Sequence, residues 1–173
     1  MNPYKTLIFG FLKVAHNFRI LLSESEDAYK YLFVPGYEPA RWQVGKWKAW
    51  YVFEKARKHV PAYKKFLASH GKIEEIKGWD PDLTCIPIMD KESYVKKYSI
   101  ESRCVEGHLP STGVMIDESS GTSGTSTNWV RGSQERAAVK QAMQTALHSL
   151  IGNKPIFFIN AFALGPWATG MNV

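Results

Sequence analysis

The sequence predicts an α/β fold, with a helical N-terminal part over residues 1–80 followed by a βαβ-type portion over residues 81–173. Three observations predict it. Apolar residues recur at helical spacing through the first half. Two short apolar runs of strand type, GVMI at 113–116 and PIFFIN at 155–160, bracket a helical pattern in the second half. Between them lies a ten-residue run, Ser119 to Asn128, made only of Ser, Gly, Thr and Asn. Such a run cannot join a hydrophobic core, so it is read as a loop.

At 173 residues, 45% hydrophobic and 13% aromatic, the chain has enough apolar material for a packed core. Its net charge of +6 favours solubility and anionic ligands. Cys85 and Cys104 stand far apart, with no C-x-x-C pair and no His cluster nearby. Neither a zinc site nor a disulfide framework is expected, and a cytoplasmic location follows as the default.

The first 22 residues hold the apolar segment TLIFGFL, interrupted downstream by Lys13, His16, Asn17 and Arg19, with no small-residue cleavage site after it. Neither a signal peptide nor a transmembrane segment is expected; an amphipathic helix packed on the domain is preferred to a membrane-surface anchor. SESED at 23–27, then Pro35, Gly36 and Pro39, mark turns. From Arg41 to Lys72 nine Lys or Arg and one acid, Glu54, interleave with Trp42, Trp47, Trp50, Tyr51, Phe53, Tyr63 and Phe66. A basic, aromatic stretch raises nucleic-acid binding. The spacing of Val44, Trp47, Tyr51, Ala56 and Val60 on one helical face instead makes the aromatics core and the lysines its solvated back, so no nucleic-acid partner is expected.

Pro61 ends this helix, and Ala62 to His70 forms another, closed by Gly71. Leu83 to Tyr98 reads as a strand into Pro87, a turn, and a helix opened by Asp90 as an ordinary N-cap rather than a capping box, with Lys91 on the surface. GVMI is read as a buried strand entering the polar loop and NWVR at 128–131 as an extended segment leaving it. Ser133 is the expected N-cap of a last helix, in which Ala137, Val139, Ala142, Met143, Ala146, Leu147 and Leu150 recur until Gly152. PIFFIN is then a strand fit for the interior of a parallel sheet. His16, His59, His70, His108 and His148 are scattered and form no nucleophile–base order.

The polar loop carries the chemistry. Seven hydroxyls fall between Ser119 and Thr127, and Gly121 and Gly124 leave backbone N–H groups uncovered. Small neutral donors and convergent amides make an anion cradle. A Walker A loop is excluded: Ser126 and Thr127 follow the spacing from Gly121, lysine is missing, and an extended segment rather than a helix comes next. The glycines fall as G-x-x-G, so the dinucleotide fingerprint is missing as well.

The string SSGTSGTST resembles the phosphate-binding loop of the adenylate-forming (acyl-activating) enzyme superfamily, [ST]-S-G-T-[ST]-G-x-P-[KT], and within it the phenylacetate–CoA ligase-like branch, where Thr often stands at the position of Thr127. Ser126 departs from the usual Pro. KARKHVPAYKKFLASHG resembles the branch's N-terminal helix pair, LTCIPIMDKESYVKKY its P-x-[x]-D/T-K-x-x-[LY] segment, and NAFALGPWATGM its N-A-[YF]-G-Y-G-x-F-x-G-G segment, with Ala163 replacing a usual Gly and Pro166 unusual.

The resemblance implies ATP-dependent activation of a carboxylic acid. The carboxylate attacks the α-phosphorus, pyrophosphate leaves, and the acyl-adenylate is captured by a thiol such as coenzyme A. It assigns Ser119, Ser120, Gly121, Thr122, Ser123, Gly124, Thr125 and Thr127 to the phosphates of ATP, with Mg²⁺ bridging them, and Asn160, Ala161, Phe162 and Gly165 to the acyl pocket. The branch's downstream adenine, ribose and catalytic-lysine segments are not in these 173 residues. The expectation is therefore an N-terminal fragment, with no catalytic residue of its own and no C-terminal domain, that cannot complete the reaction. Two alternatives stand beside it: a non-catalytic nucleotide-binding or interaction module that keeps the loop, and a basic surface-binding protein.

Overall fold

The computed structural model describes residues 2–22, 35–119, 126–152 and 154–162. Roughly half of the chain so described is helical, and the sheet is a two-stranded antiparallel one, so the class is mixed α/β.

Helix α1 spans Pro3–Leu22. Asn2 caps it, its side-chain oxygen accepting from the N–H groups of Tyr4 (3.1 Å) and Lys5 (3.4 Å), and Pro3 occupies the first helical position, where a missing N–H costs nothing. Helix α2, Glu38–His59, also opens with a proline in its first turn and closes with Arg57, Lys58 and His59, cations placed where the helix dipole is negative. Val60 leaves helical geometry because Pro61 disfavours it, and Pro61 then starts helix α3, Pro61–Ala68. Gly71, at φ +81°, turns the chain away.

These helices enclose the core. Ile8 and Leu12 of α1, Trp47, Trp50 and Phe53 of α2, and Ala62, Tyr63, Phe66 and Leu67 of α3 are buried together with Ile76 and Tyr94. Trp50 is fully enclosed, and Phe9 meets it edge-on at 5.4 Å. The expected face residues Val44, Tyr51, Ala56 and Val60 pack only partly against this cluster; Trp50 and Phe53 sit deeper, because α1 and Tyr63 press on that side of α2. Trp42, expected in the core, is exposed.

The segment read as a strand into Pro87 forms no strand; residues 84–86 turn instead, Asp82 accepting from the N–H (2.9 Å) and hydroxyl (2.7 Å) of Thr84. Lys91–Val95 is a single π-helical turn. Its start is a full capping box, contrary to the simple cap expected: Asp90 accepts from the N–H of Ser93 at 2.6 Å, and the Ser93 hydroxyl accepts from the N–H of Asp90 at 3.1 Å. A 3₁₀ turn, Val105–Gly107, packs against α2 and α3.

Strand β1 is Met115–Glu118, two residues later than the GVMI reading, and β2 is Asn128–Arg131 as expected. They pair antiparallel from Met115↔Arg131 to Glu118↔Asn128. The last helix, α4, spans Ser133–Ile151; Gly132 rather than Ser133 is its N-cap, and Gly152 stops it at φ 69°. The βαβ arrangement is not formed among the described residues. β1 pairs with β2 across a nine-residue connection, which suits an antiparallel pair, and the strand expected after α4 to complete the unit finds no partner among the described residues. Residues 155–160 run extended without a strand partner, and Phe157 is 91% exposed, so the expected interior strand is a surface segment here.

Candidate functional site

Ser120, Gly121, Thr122, Ser123, Gly124 and Thr125 lie outside the described residues, as does Gly165 of the expected acyl pocket. The two ends of the polar loop are described, and they meet. The N–H of Ser119 donates to the carbonyl of Thr127 at 3.0 Å, the N–H of Thr127 donates to the Ser119 hydroxyl at 3.1 Å, and the two hydroxyls lie 3.1 Å apart. These three contacts extend the β1–β2 pairing by one residue on each strand and clasp the neck of the loop. Two of the expected phosphate ligands, Ser119 and Thr127, are thus brought together, each half-buried and each using its hydroxyl on the other. Beside them the Ser126 hydroxyl donates to the Glu118 carboxylate.

One strand residue away is the deepest polar group of the described chain. Asp117 is 1% exposed and receives a hydrogen bond from Nε of Arg131 on the facing strand; Nη1 of Arg131 donates onward to Glu135 in the first turn of α4. The Asp117 carboxylate, ahead of that of Glu135, raises the Arg131 pKa above its ordinary value. The chain Asp117–Arg131–Glu135 therefore fastens both strands to α4. Arg103, from the helical half, donates to the carbonyl of Asn128 at 3.4 Å. The sequence signal for this tie was present, as opposite charges in the two segments that flank the loop, but the GVMI reading ended at Ile116, one residue short of Asp117.

A groove of about 660 Å³ runs between β1, α4 and the 155–160 segment. Met115, Val139, Met143, Leu147 and Phe158 line it, with Arg136 and Lys140 as its cations. The helical spacing that marked Val139, Met143 and Leu147 as core is real, but the face they share lines this open groove. Neither Ser119 nor Thr127 lines it. Of the acyl-pocket candidates, Asn160 accepts from the N–H of Phe162 at 3.0 Å in a local turn, Ala161 and Phe162 are exposed, and none of the three lines the groove.

The free thiols Cys85 and Cys104 lie half-buried in the helical half, where burial raises the Cys104 pKa. His59 pairs with Glu106 rather than with a nucleophile. No group of three or more His, Cys, Asp or Glu among the described residues could hold a metal, and no helix among them is long and apolar enough to cross a membrane. Comparison of the chain with protein-family models, with curated proteins and with solved structures returned no match.

Proposed function

We propose that the hairpin loop grips the phosphates of ATP, and that the chain serves an ATP-dependent carboxylate-activating ligase that forms an acyl-adenylate and passes the acyl group to coenzyme A. The observation that carries this reading is the clasped neck. A run of hydroxyls and glycines is held at its base by Ser119 and Thr127 between two paired strands, so its ends are fixed before any anion arrives. Donors fixed in advance stabilise charge as it develops on a leaving pyrophosphate, because no reorganisation is needed at that moment. Ser120, Thr122, Ser123 and Thr125 supply hydroxyls and the Gly121 and Gly124 region supplies amides in this reading. The donor set from Ser119 to Thr127 consists in sequence of Ser, Gly and Thr alone, so in this reading Mg²⁺ enters with the nucleotide, held by phosphate oxygens. The apolar groove with Arg136 and Lys140 supports the other half of the reading, as a place for an apolar acid with its carboxylate against the cations.

The test is calorimetric titration of the chain with MgATP and with pyrophosphate, alongside the Thr122→Ala/Thr125→Ala variant. The proposal expects the double substitution to weaken binding of both ligands about tenfold or more, as loss of two hydrogen bonds to a charged group implies. Equal affinity in the two proteins refutes the phosphate role. Carboxylate-dependent ATP–pyrophosphate exchange assigns catalysis to this chain; binding without exchange assigns it a nucleotide-holding role.

A further inference from the structure

Helix α1 has two apolar faces, and the helical core uses one. Ile8 and Leu12 are buried against α2, and Lys5 is drawn to the same side by Glu54, at 2.6 Å. Tyr4, Leu7, Phe11 and Val14 form a second stripe, spaced three, four and three residues apart, and all four are exposed, Leu7 by 66% and Val14 by 69%. In the sequence the same spacing continues to Phe18 and Leu21. Beneath the stripe Phe11 meets the buried Trp47 edge-on at 5.8 Å, and Trp47 meets the half-exposed Trp79 at 4.6 Å, the Trp79 carbonyl accepting from the indole N–H of Trp47 at 2.7 Å. An exposed apolar stripe of four large side chains on one helix marks a contact site.

Charge selects what covers it. Helix α1 contains Lys13, Arg19 and Lys5, the last paired with Glu54 of α2, and no acidic residue, and the whole chain carries +6. Lys13 is exposed on the polar side of the stripe. A second copy docked along this seam would set these cations against their own duplicates, with no acid on the helix to answer them. A negatively charged lipid surface answers both features, burying the apolar stripe at the acyl boundary and meeting the cations with headgroup phosphates. Half-exposed tryptophan suits that boundary, where one end of the ring is apolar and the other wet. We propose that α1 docks the protein on an anionic membrane surface, lying in its plane through Tyr4, Leu7, Phe11 and Val14 while the adjoining face of Ile8 and Leu12 stays packed on α2.

The experiment is co-sedimentation of the full chain with vesicles of phosphatidylcholine alone and of phosphatidylcholine mixed with phosphatidylglycerol, with size-exclusion chromatography in the absence of lipid. The proposal expects binding to the mixed vesicles, little to the neutral ones, and a monomer without lipid. Leu7→Glu lies on the exposed stripe and leaves the core residues in place, so its circular dichroism matches the parent, and its vesicle binding falls more than about tenfold. Lys13→Gln weakens binding about fivefold, a loss that added salt imposes on the parent as well. Equal binding to neutral and anionic vesicles, no binding to either, unchanged binding by Leu7→Glu, or a lipid-free dimer that Leu7→Glu dissociates would each overturn the proposal.

Discussion

The helical half and the hairpin half of this molecule are built on opposite principles. Among the described residues, every buried hydrophobic residue of the core lies between Ile8 and Tyr94, and beyond Tyr94 the one buried side chain is the carboxylate of Asp117. The first half folds by enclosing aromatic rings, and the second holds together through a polar chain from Asp117 through Arg131 to Glu135 while Leu150, Phe157 and Ile159 stay exposed. The contrast teaches where stability and where binding capacity reside. Aromatic burial holds the helices together, whereas the described part of the second half leaves apolar surface exposed along α4 and residues 155–160.

Substitutions in the two halves should therefore differ in kind. Trp50→Ala attacks the aromatic enclosure at its centre and is expected to cost about 4 kcal/mol, read from urea unfolding followed by circular dichroism. A cost below about 1 kcal/mol would mean that the helices do not depend on that ring. Asp117→Ala strikes the polar tie and leaves Arg131 half-paired, at an expected cost of about 3 kcal/mol, seen as lost hydrogen-exchange protection in β1 and β2 while the helical amides are unchanged. Replacing both partners, Asp117→Leu with Arg131→Met, should restore most of that protection, since two apolar side chains leave no charge unpaired.

A smaller, pH-dependent effect belongs to the helical half. The N–H of Ser93, then its hydroxyl, hold the Asp90 carboxyl below the ordinary aspartate value of 3.8. A depressed folded-state pKa adds stability that is fully present above that value and lost as pH falls through the folded pKa. Thermal melts in the acid range should show this loss in the parent and a flatter limb in Asp90→Asn, which keeps a capping oxygen but cannot titrate. Least of all should Phe157→Ala matter. That ring is almost wholly in solvent, and the expected change is within about 0.5 kcal/mol of zero.

Local signals made the helices legible. Proline at the starts of α2 and α3, glycine at 71 and 152, and apolar residues at helical spacing are read within a turn or two of chain, and the structure keeps them. What depends on a distant partner was not legible. Residues 155–160 have strand composition, but a strand exists only with a neighbour to pair with, and none among the described residues provides one. β1 lies two residues off its expected place because its buried residue is an acid, and only Arg131, fourteen residues on, makes that burial possible. The capping box was missed because serine, not glutamate, closes it. For the candidate site, composition marked out the loop and its two flanking segments, and the Ser119–Thr127 contact joins them; the groove on α4 was hidden inside a pattern that reads equally as core.

That contact at the neck has a practical corollary for protein engineering. A ring closed at its base by backbone and hydroxyl contacts insulates the strands from whatever is strung beyond it, and the closure cost of a flexible segment grows only with the logarithm of its length. A peptide tag or affinity handle spliced into the tip would leave the register from Met115↔Arg131 to Glu118↔Asn128 undisturbed, turning the hairpin into a portable mount for foreign sequence.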